Sequence, residues 1–170
     1  MQKYKAFTLI ELAIVLLVIG ILSGLMLRNV GIYGVQARDA KRKGDLRNLS
    51  VNLVQYATQY GSYPTPTALL QGLQSIGVAN LPTPPSTNEY YYYTRCKESA
   101  ASNVYNHFML KAVLEQNSST APNLYADSYS SSGLPWANCD SVVQFRGMTV
   151  QSGGDTNCDN NRSNNYCIVQ

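Results

Sequence analysis

The sequence predicts an α+β protein in which one long N-terminal α-helix packs on a small antiparallel β-sheet. Three observations predict this class: an apolar run over residues 6–27, a helical stripe of apolar residues that continues to Tyr60, and later segments rich in tyrosine and β-branched residues. With 170 residues the chain is long enough for one globular domain and one appended segment. We therefore expect a single β-rich head on a helical stalk.

Composition and charge favour a structural protein over an enzyme. The net charge is +3 and only 14% of the residues are charged, which gives no overall reason to expect nucleic acid or an anionic membrane as the main partner. Thirteen tyrosines and a polar second half are typical of a β-rich surface protein. The single histidine, with no nucleophile motif or paired carboxylates, argues against catalysis.

Residues 7–30 are expected to form the first, membrane-spanning half of the helix. From Leu12 to Leu27 every residue is apolar or small, and the whole stretch reaches the roughly 20 residues needed to cross a bilayer. No small-residue cleavage site follows Met26, so the helix is expected to be retained. Gly20 and Gly24, four residues apart, fit close helix contacts or local melting, although glycine is also common in membrane helices.

Glu11 interrupts the apolar run near its start. A carboxylate in hydrocarbon costs about 2.5–3.5 kcal/mol unless it is paired. No basic residue lies within two helical turns after it, since the next one is Arg28. Glu11 therefore either stays hydrated at the membrane interface or finds its partner outside its own helix.

The first fifteen residues, MQKYKAFTLIELAIV, combine a short leader containing two lysines with Ala6, Phe7, Thr8, Glu11 and an apolar run. This stretch resembles the N-terminus of the type IV pilin and pseudopilin superfamily. The resemblance implies a pilin fold and a leader of residues 1–6. A prepilin peptidase of the membrane would cut between Ala6 and Phe7 and methylate the new amine. The sequence departs from the family at Ala6, where glycine is usual, and at Arg28, where proline often occurs.

The resemblance also implies how the chain assembles. The Glu11 carboxylate of one subunit would meet the Phe7 amine of a neighbour, which neutralises two charges that lipid disfavours. Phe7, Glu11, Gly20 and Gly24 are thus the predicted assembly residues of a helical homo-oligomeric filament. The implied partners are the membrane before assembly, an inner-membrane assembly platform and motor ATPases. The implied location is the cytoplasmic membrane for the precursor and the cell surface, as an extracellular pilus, for the product.

Residues 31–60 are expected to form the second, amphipathic half of the helix. One helical stripe carries the apolar residues Leu46, Leu49, Leu53, Tyr56 or Ala57, and Tyr60. The same half carries a basic cluster that could contact phosphate, as DNA import would require: Arg38, Lys41, Arg42, Lys43 and Arg47. Acidic residues at four-residue spacing, in the pairs Asp39–Lys43 and Lys41–Asp45, favour a self-paired, solvated face instead. Nucleic acid therefore remains an uncertain partner.

Residues 61–170 are expected to form a globular, β-rich head. Gly61 suits a helix C-cap, and the prolines at 64 and 66 prevent the helix from continuing. A short amphipathic helix over residues 69–76 is expected to end at Gly77. The tyrosine-rich helix end and the Gly61–Thr65 loop resemble the major pseudopilins of type II secretion.

Three segments are candidate strands: 89–95, 104–116 and 141–151. In the second, alternate apolar residues are expected to share one face: Phe108, Leu110, Ala112 and Leu114. The four consecutive tyrosines at 90–93 could form an adhesive surface, but strand alternation would bury about half of them. A structural role for the buried half is the safer interpretation.

Cysteine and oxygen-bearing residues suggest two further features of the head. Four cysteines in a chain that looks exported indicate two disulfides, with Cys96–Cys139 and a C-terminal loop closed by Cys158–Cys167 favoured among the three connectivities. Zinc is disfavoured because no CxxC pair occurs and His107 lies in a strand pattern. The one cofactor considered is calcium. Its candidate ligands are the oxygen-bearing side chains at alternate positions: Asp155, Asn157, Asp159 and Asn161. A bidentate glutamate is missing there, and such stretches often form turns.

The preferred function is that of a structural subunit of a type IV pilus filament, serving adhesion, twitching motility or DNA uptake after its leader is removed. One alternative is the major pseudopilin of a type II secretion system. Another is a minor or tip pilin that acts as an adhesin or a DNA-binding module, supported by the basic cluster and the tyrosines.

Overall fold

The computed structural model describes residues 7–27, 30–115, 139–154 and 165–170. The chain divides into two compact units, an N-terminal unit, Met1–Ala37, and a C-terminal unit, Arg38–Gln170. The elements are an N-terminal pair of helices, a short third helix and an antiparallel sheet of five strands. The predicted α+β class is therefore confirmed.

The N-terminal unit contains helix α1, Leu9–Leu27, and the start of helix α2, Val30–Tyr60. α1 consists of 19 residues and contains only one charged side chain, Glu11. Within the described residues, no helix has both the length and the apolar character needed to cross a membrane. The span predicted for residues 7–30 includes residues 28 and 29, which lie outside the described residues.

α2 ends at Tyr60, where the sequence predicts its end. Gly61 adopts a left-handed backbone with φ of 77° and donates its N–H to the carbonyl of Ala57 at 2.8 Å, which caps the helix. A single 3₁₀ turn, Pro66–Ala68, then leads into helix α3, Leu69–Gln74. α3 is shorter than predicted, because the chain turns before Gly77, whose φ is 93°.

The sheet is antiparallel throughout and its strands lie in the order β4-β3-β1-β2-β5. The strands are β1 Tyr91–Cys96, β2 His107–Val113, β3 Val143–Arg146, β4 Thr149–Ser152 and β5 Asn165–Val169. β1 lies at the centre, where Tyr93 is opposite Leu110 of β2 and Val143 of β3.

Two strand predictions need correction. Residues 141–151 were expected to form one strand but form the hairpin β3–β4, because Gly147, with φ of 55°, turns the chain back. β5 was not predicted, since its five residues are preceded by a run of asparagines with no strand pattern. It nevertheless pairs along β2, with Leu110 opposite Ile168.

The core of the C-terminal unit lies between α2, α3 and one face of the sheet. The predicted α2 stripe supplies three leucines that are at most 1% exposed, Leu46, Leu49 and Leu53. The predicted face of the second strand segment is buried in the same core: Phe108, Leu110, Ala112 and Leu114. This core fixes which α2 residues face the sheet and which face solvent.

Candidate functional site

The N-terminus of α1 is fixed by a reciprocal pair of side chains. The backbone N–H of Thr8 donates to Oε2 of Glu11 at 2.9 Å, and the Thr8 hydroxyl donates to the same oxygen at 2.8 Å. In return the Glu11 N–H lies 3.4 Å from Thr8 Oγ1. This arrangement is a capping box, which satisfies backbone donors that a helix start leaves open.

Glu11 therefore has a partner in its own chain, which the sequence analysis missed. The signal was present, because Thr-x-x-Glu before an apolar run is the sequence pattern of a capping box. The pair uses one carboxylate oxygen of Glu11. Within residues 7–27 the other oxygen, Oε1, accepts no hydrogen bond.

The surface of α1 is apolar and uncovered in the single chain. Phe7 is 86% exposed, and the large apolar side chains of residues 9–22 are 47% to 91% exposed. At Gly20 and Gly24 an added Cβ atom would meet nothing within 4 Å. Phe7 precedes α1 and the two glycines lie on it, all three exposed, while Ala6, the residue before the predicted cleavage point, lies outside the described residues.

The basic cluster of α2 is largely tied into the C-terminal unit. Arg42 is 1% exposed and contacts three carboxylates: Nη1 lies 2.5 Å from Asp39, and Nη2 lies 2.6 Å from both Glu89 and Glu115. Burial acts to lower the pKa of Arg42, but its hydrogen bonds to Glu89 and Glu115 outweigh that effect and raise it. Arg42 therefore stays protonated and joins α2 to the sheet side of the unit.

Glu115 is also held by Arg38, whose Nη2 lies 2.5 Å from its carboxylate. Hydrogen bonds from Arg38 and from Arg42 lower the pKa of Glu115 to about 2. The carboxylate is thus ionised throughout the physiological pH range.

The four-residue pairs expected along α2 are not the pairs formed. Asp39 pairs with Arg42 instead of Lys43, and Lys43 lies over the Tyr166 ring, 5.7 Å from its centroid. Asp45 accepts a hydrogen bond from the Tyr91 hydroxyl at 2.7 Å. Neither predicted pair is therefore formed, and two of the five basic residues, Arg38 and Arg42, are instead neutralised by carboxylates that the fold brings to α2.

The side chains of the tyrosine run 90–93 alternate between half-buried and buried positions, as expected for a strand with one face on the core. Tyr91 and Tyr93 are buried, and the Tyr93 hydroxyl donates to the Pro64 carbonyl at 2.8 Å. Burial raises the pKa of both phenols. Tyr90 and Tyr92 are half-buried. The buried half of the run is therefore structural.

The favoured Cys96–Cys139 disulfide is present and links the end of β1 to the segment before β3. Cys167 is also disulfide-bonded, and its predicted partner, Cys158, lies outside the described residues. The four predicted calcium ligands, Asp155, Asn157, Asp159 and Asn161, lie outside them as well. Among the residues that are described, no group of three or more His, Cys, Asp or Glu side chains could hold a metal ion.

Residues 1–27 match the family model described as the prokaryotic N-terminal methylation motif. No curated protein matches the chain, and no solved structure does.

Proposed function

Because residues 1–27 carry the N-terminal methylation motif, the class III signal peptide of type IV pilins and pseudopilins, we propose that this chain is a structural subunit of a type IV pilus filament. The motif implies a membrane-anchored precursor, processing by a prepilin peptidase and assembly into a pilus-type system at the surface. The α+β fold, an N-terminal helix with a five-stranded antiparallel sheet, is consistent with the pilin fold. The proposed role is structural and involves no catalysis.

The structure supports this proposal through the exposed apolar side chains of residues 7–22. Side chains such as Phe7 and Leu9, exposed by 86% and 91%, are stabilised only when something apolar covers them. Lipid covers them in the precursor, and the α1 helices of neighbouring subunits cover them in the filament. The open space at Gly20 and Gly24 lets a neighbouring backbone approach closely.

Glu11 supplies the polar contact of the assembly. Cleavage after Ala6 leaves an amine on Phe7, and methylation keeps its charge. Oε2 of Glu11 is engaged by Thr8, whereas Oε1 accepts no hydrogen bond within α1, so it can receive the Phe7 amine of a neighbour. The capping box holds the carboxylate in place before the neighbour arrives, which sets the register of one subunit on the next.

A platform in the inner membrane and motor ATPases would extend and retract this filament. Adhesion and twitching motility then follow from surface display of the C-terminal unit. DNA uptake has less support, because Arg38 and Arg42 are already paired with carboxylates.

The major pseudopilin of a type II secretion system is the second candidate, favoured by the loop that follows Tyr60. There Gly61 caps α2, and the buried Tyr63 donates its N–H to the carbonyl of Tyr105 at 3.0 Å. This loop resembles that of major pseudopilins in sequence. The two candidates differ in their products, since a pilus subunit is needed for surface filaments and a pseudopilin for protein export.

Two substitutions in the native host test the proposal. Glu11→Gln keeps an oxygen for the capping box but removes the charge, so sheared surface filaments should be lost while the subunit still accumulates. Thr8→Ala weakens the cap by about 1 kcal/mol and keeps the charge, so filaments should persist. Normal filament yield in the Glu11→Gln strain would contradict the proposed contact. A second strain lacks the whole chain. If this strain still makes filaments but no longer secretes proteins, the pseudopilin role is favoured.

A further inference from the structure

An open cavity of about 390 Å³ lies at the end of α2, within the C-terminal unit. The side chains that give it its chemistry are Tyr56, Tyr60, Ser62, Gln71, Ser75 and Arg95. Its volume is at the lower end of the range of small-molecule sites, about 300–1,000 Å³. The filament proposal gives this cavity no role.

One wall of the cavity is aromatic. The rings of Tyr56 and Tyr60 stack with centroids 4.5 Å apart, and Tyr60 leaves 50% of its surface exposed. Tyr56 packs closely on α3, because a Cβ atom at Gly72 would lie 3.3 Å from its ring and 2.8 Å from Pro64. The stacked pair therefore presents a tyrosine ring face to a ligand, and its contact with α3 holds the pair in place.

Other residues that line the cavity carry polar side chains. The Gln71 side chain is exposed on α3 and can both donate and accept hydrogen bonds. The Ser75 hydroxyl donates to the Gly72 carbonyl at 2.6 Å, so its oxygen remains an acceptor at the rim. Ser62, half-buried in the loop after α2, adds a second hydroxyl.

Arg95 is the charged residue among those that line the cavity. Its side chain is held in place by several contacts, and its charge is neutralised by a carboxylate. Its Nε donates to Asp140 at 2.7 Å, its Nη1 donates to the Tyr63 carbonyl at 2.8 Å, and its guanidinium lies 3.8 Å from the centroid of Tyr105. Because Asp140 compensates the positive charge, the cavity does not attract anions strongly. A phosphate-rich ligand is therefore disfavoured.

These four features, an exposed tyrosine face, an amide, two hydroxyls and a compensated guanidinium, match one ligand chemistry. We propose that the cavity binds a neutral saccharide, with a pyranose ring against Tyr60 and its hydroxyl groups hydrogen-bonded to Gln71 and Ser62. A pyranose has an apolar C–H face that suits an aromatic ring and a polar edge that suits amides and hydroxyls. The site lies wholly in the C-terminal unit, so it does not depend on filament assembly.

The test is a titration of the full chain in dodecylphosphocholine micelles, whose head group contains no sugar. The probes are cellotriose, which has no N-acetyl groups, and N,N′,N″-triacetylchitotriose, which has three. Binding is measured by calorimetry and saturation-transfer NMR. At least one probe should bind, with saturation strongest on the C–H protons of one ring face. Tyr60→Ala should weaken binding about tenfold, whereas Tyr60→Phe, which keeps the ring face, should change it less than about twofold.

Tyr33→Ala is the matched control, because Tyr33 is also exposed on α2 but lies outside the cavity. It should leave the affinity unchanged. Absence of binding by both sugars, or equal loss in the Tyr33→Ala and Tyr60→Ala proteins, would overturn the proposal. So would tighter, Tyr60-dependent binding of a ten-residue oligothymidylate or of hexaproline, since the cavity would then recognise a different class of ligand.

Discussion

Arg42 on α2 and Glu115, just past β2, are joined by an ion pair of 2.6 Å, although 73 residues separate them in the sequence. The guanidinium is 1% exposed and also contacts Asp39 and Glu89. A cation buried among three carboxylates is stable only while its partners are in place. The attachment of α2 to the sheet therefore depends on this cluster as well as on the leucine stripe.

Replacement of Arg42 should destabilise the fold strongly. Arg42→Ala removes the cation that pairs with Asp39, itself nearly buried, and with Glu89, while Glu115 keeps its pair with Arg38, and the free energy of unfolding should fall by about 3–5 kcal/mol. The matched control is Arg38→Ala, because Arg38 binds Glu115 from a side chain that is 44% exposed, and its loss should reduce stability much less than that of Arg42. Urea unfolding of the two variants in micelles measures the difference. Equal losses would contradict the central role of Arg42.

Stability should fall in acid through Glu115. Its pKa is lowered from 4.5 to about 2 by hydrogen bonds from Arg38 and Arg42. A carboxylate with a lowered pKa in the folded state stabilises the fold above its unfolded pKa and loses that contribution as pH falls through the folded value. The loss should therefore develop between about pH 4.5 and about pH 2.

Glu115→Gln should flatten this part of the stability profile, measured by urea unfolding at stepped pH. The control is Glu98→Gln, because Glu98 is exposed and takes part in no ion pair of the described residues. If the Glu115→Gln protein lost stability in acid as the parent protein does, the attribution of this loss to Glu115 would be contradicted.

Two helical glycines should respond oppositely to alanine. At Gly72 on α3 the new Cβ would lie 2.8 Å from Cβ of Pro64, so Gly72→Ala should destabilise by about 1–3 kcal/mol through overpacking. At Gly44 on α2 nothing lies within 4 Å, so Gly44→Ala should stabilise by up to about 1 kcal/mol through helix propensity. Thermal unfolding of both variants measures the sign, and a stabilised Gly72→Ala protein would show that α3 packs differently.

The Cys96–Cys139 disulfide should contribute substantially to stability. Its sequence separation of 43 residues predicts about 4 kcal/mol in the chain-entropy model. The Cys96→Ser/Cys139→Ser double variant should therefore unfold at lower urea concentration than the parent protein. After reduction of both proteins the difference should largely disappear. A difference that persists under reducing conditions would mean that the serines perturb the core directly.

The elements predicted correctly from the sequence are those with local signals. The leucine stripe at 46, 49 and 53 has helical spacing, and Gly61 before two prolines ends α2. The alternation of the tyrosine run likewise predicts that about half of its side chains are buried, and the structure shows that these are Tyr91 and Tyr93. In each case the residue type and its near neighbours determine the structure.

The features that were missed depend on distant partners or on a weak local pattern. Arg42 finds Glu89 and Glu115 only because the sheet brings residues 47 and 73 positions away to α2. β5 is short, and its apolar residues become a strand only by pairing with β2. The capping box of Thr8 and Glu11 is different, since its signal, Thr-x-x-Glu before an apolar run, is local.

Intact mass of the protein sheared from the cell surface, with and without reduction, tests the central claim most directly. The account predicts a chain that lacks residues 1–6, carries one methyl group on Phe7 and has four fewer hydrogens before reduction, as two disulfides require. A species that stays in the membrane fraction after shearing and still carries its leader would contradict the account.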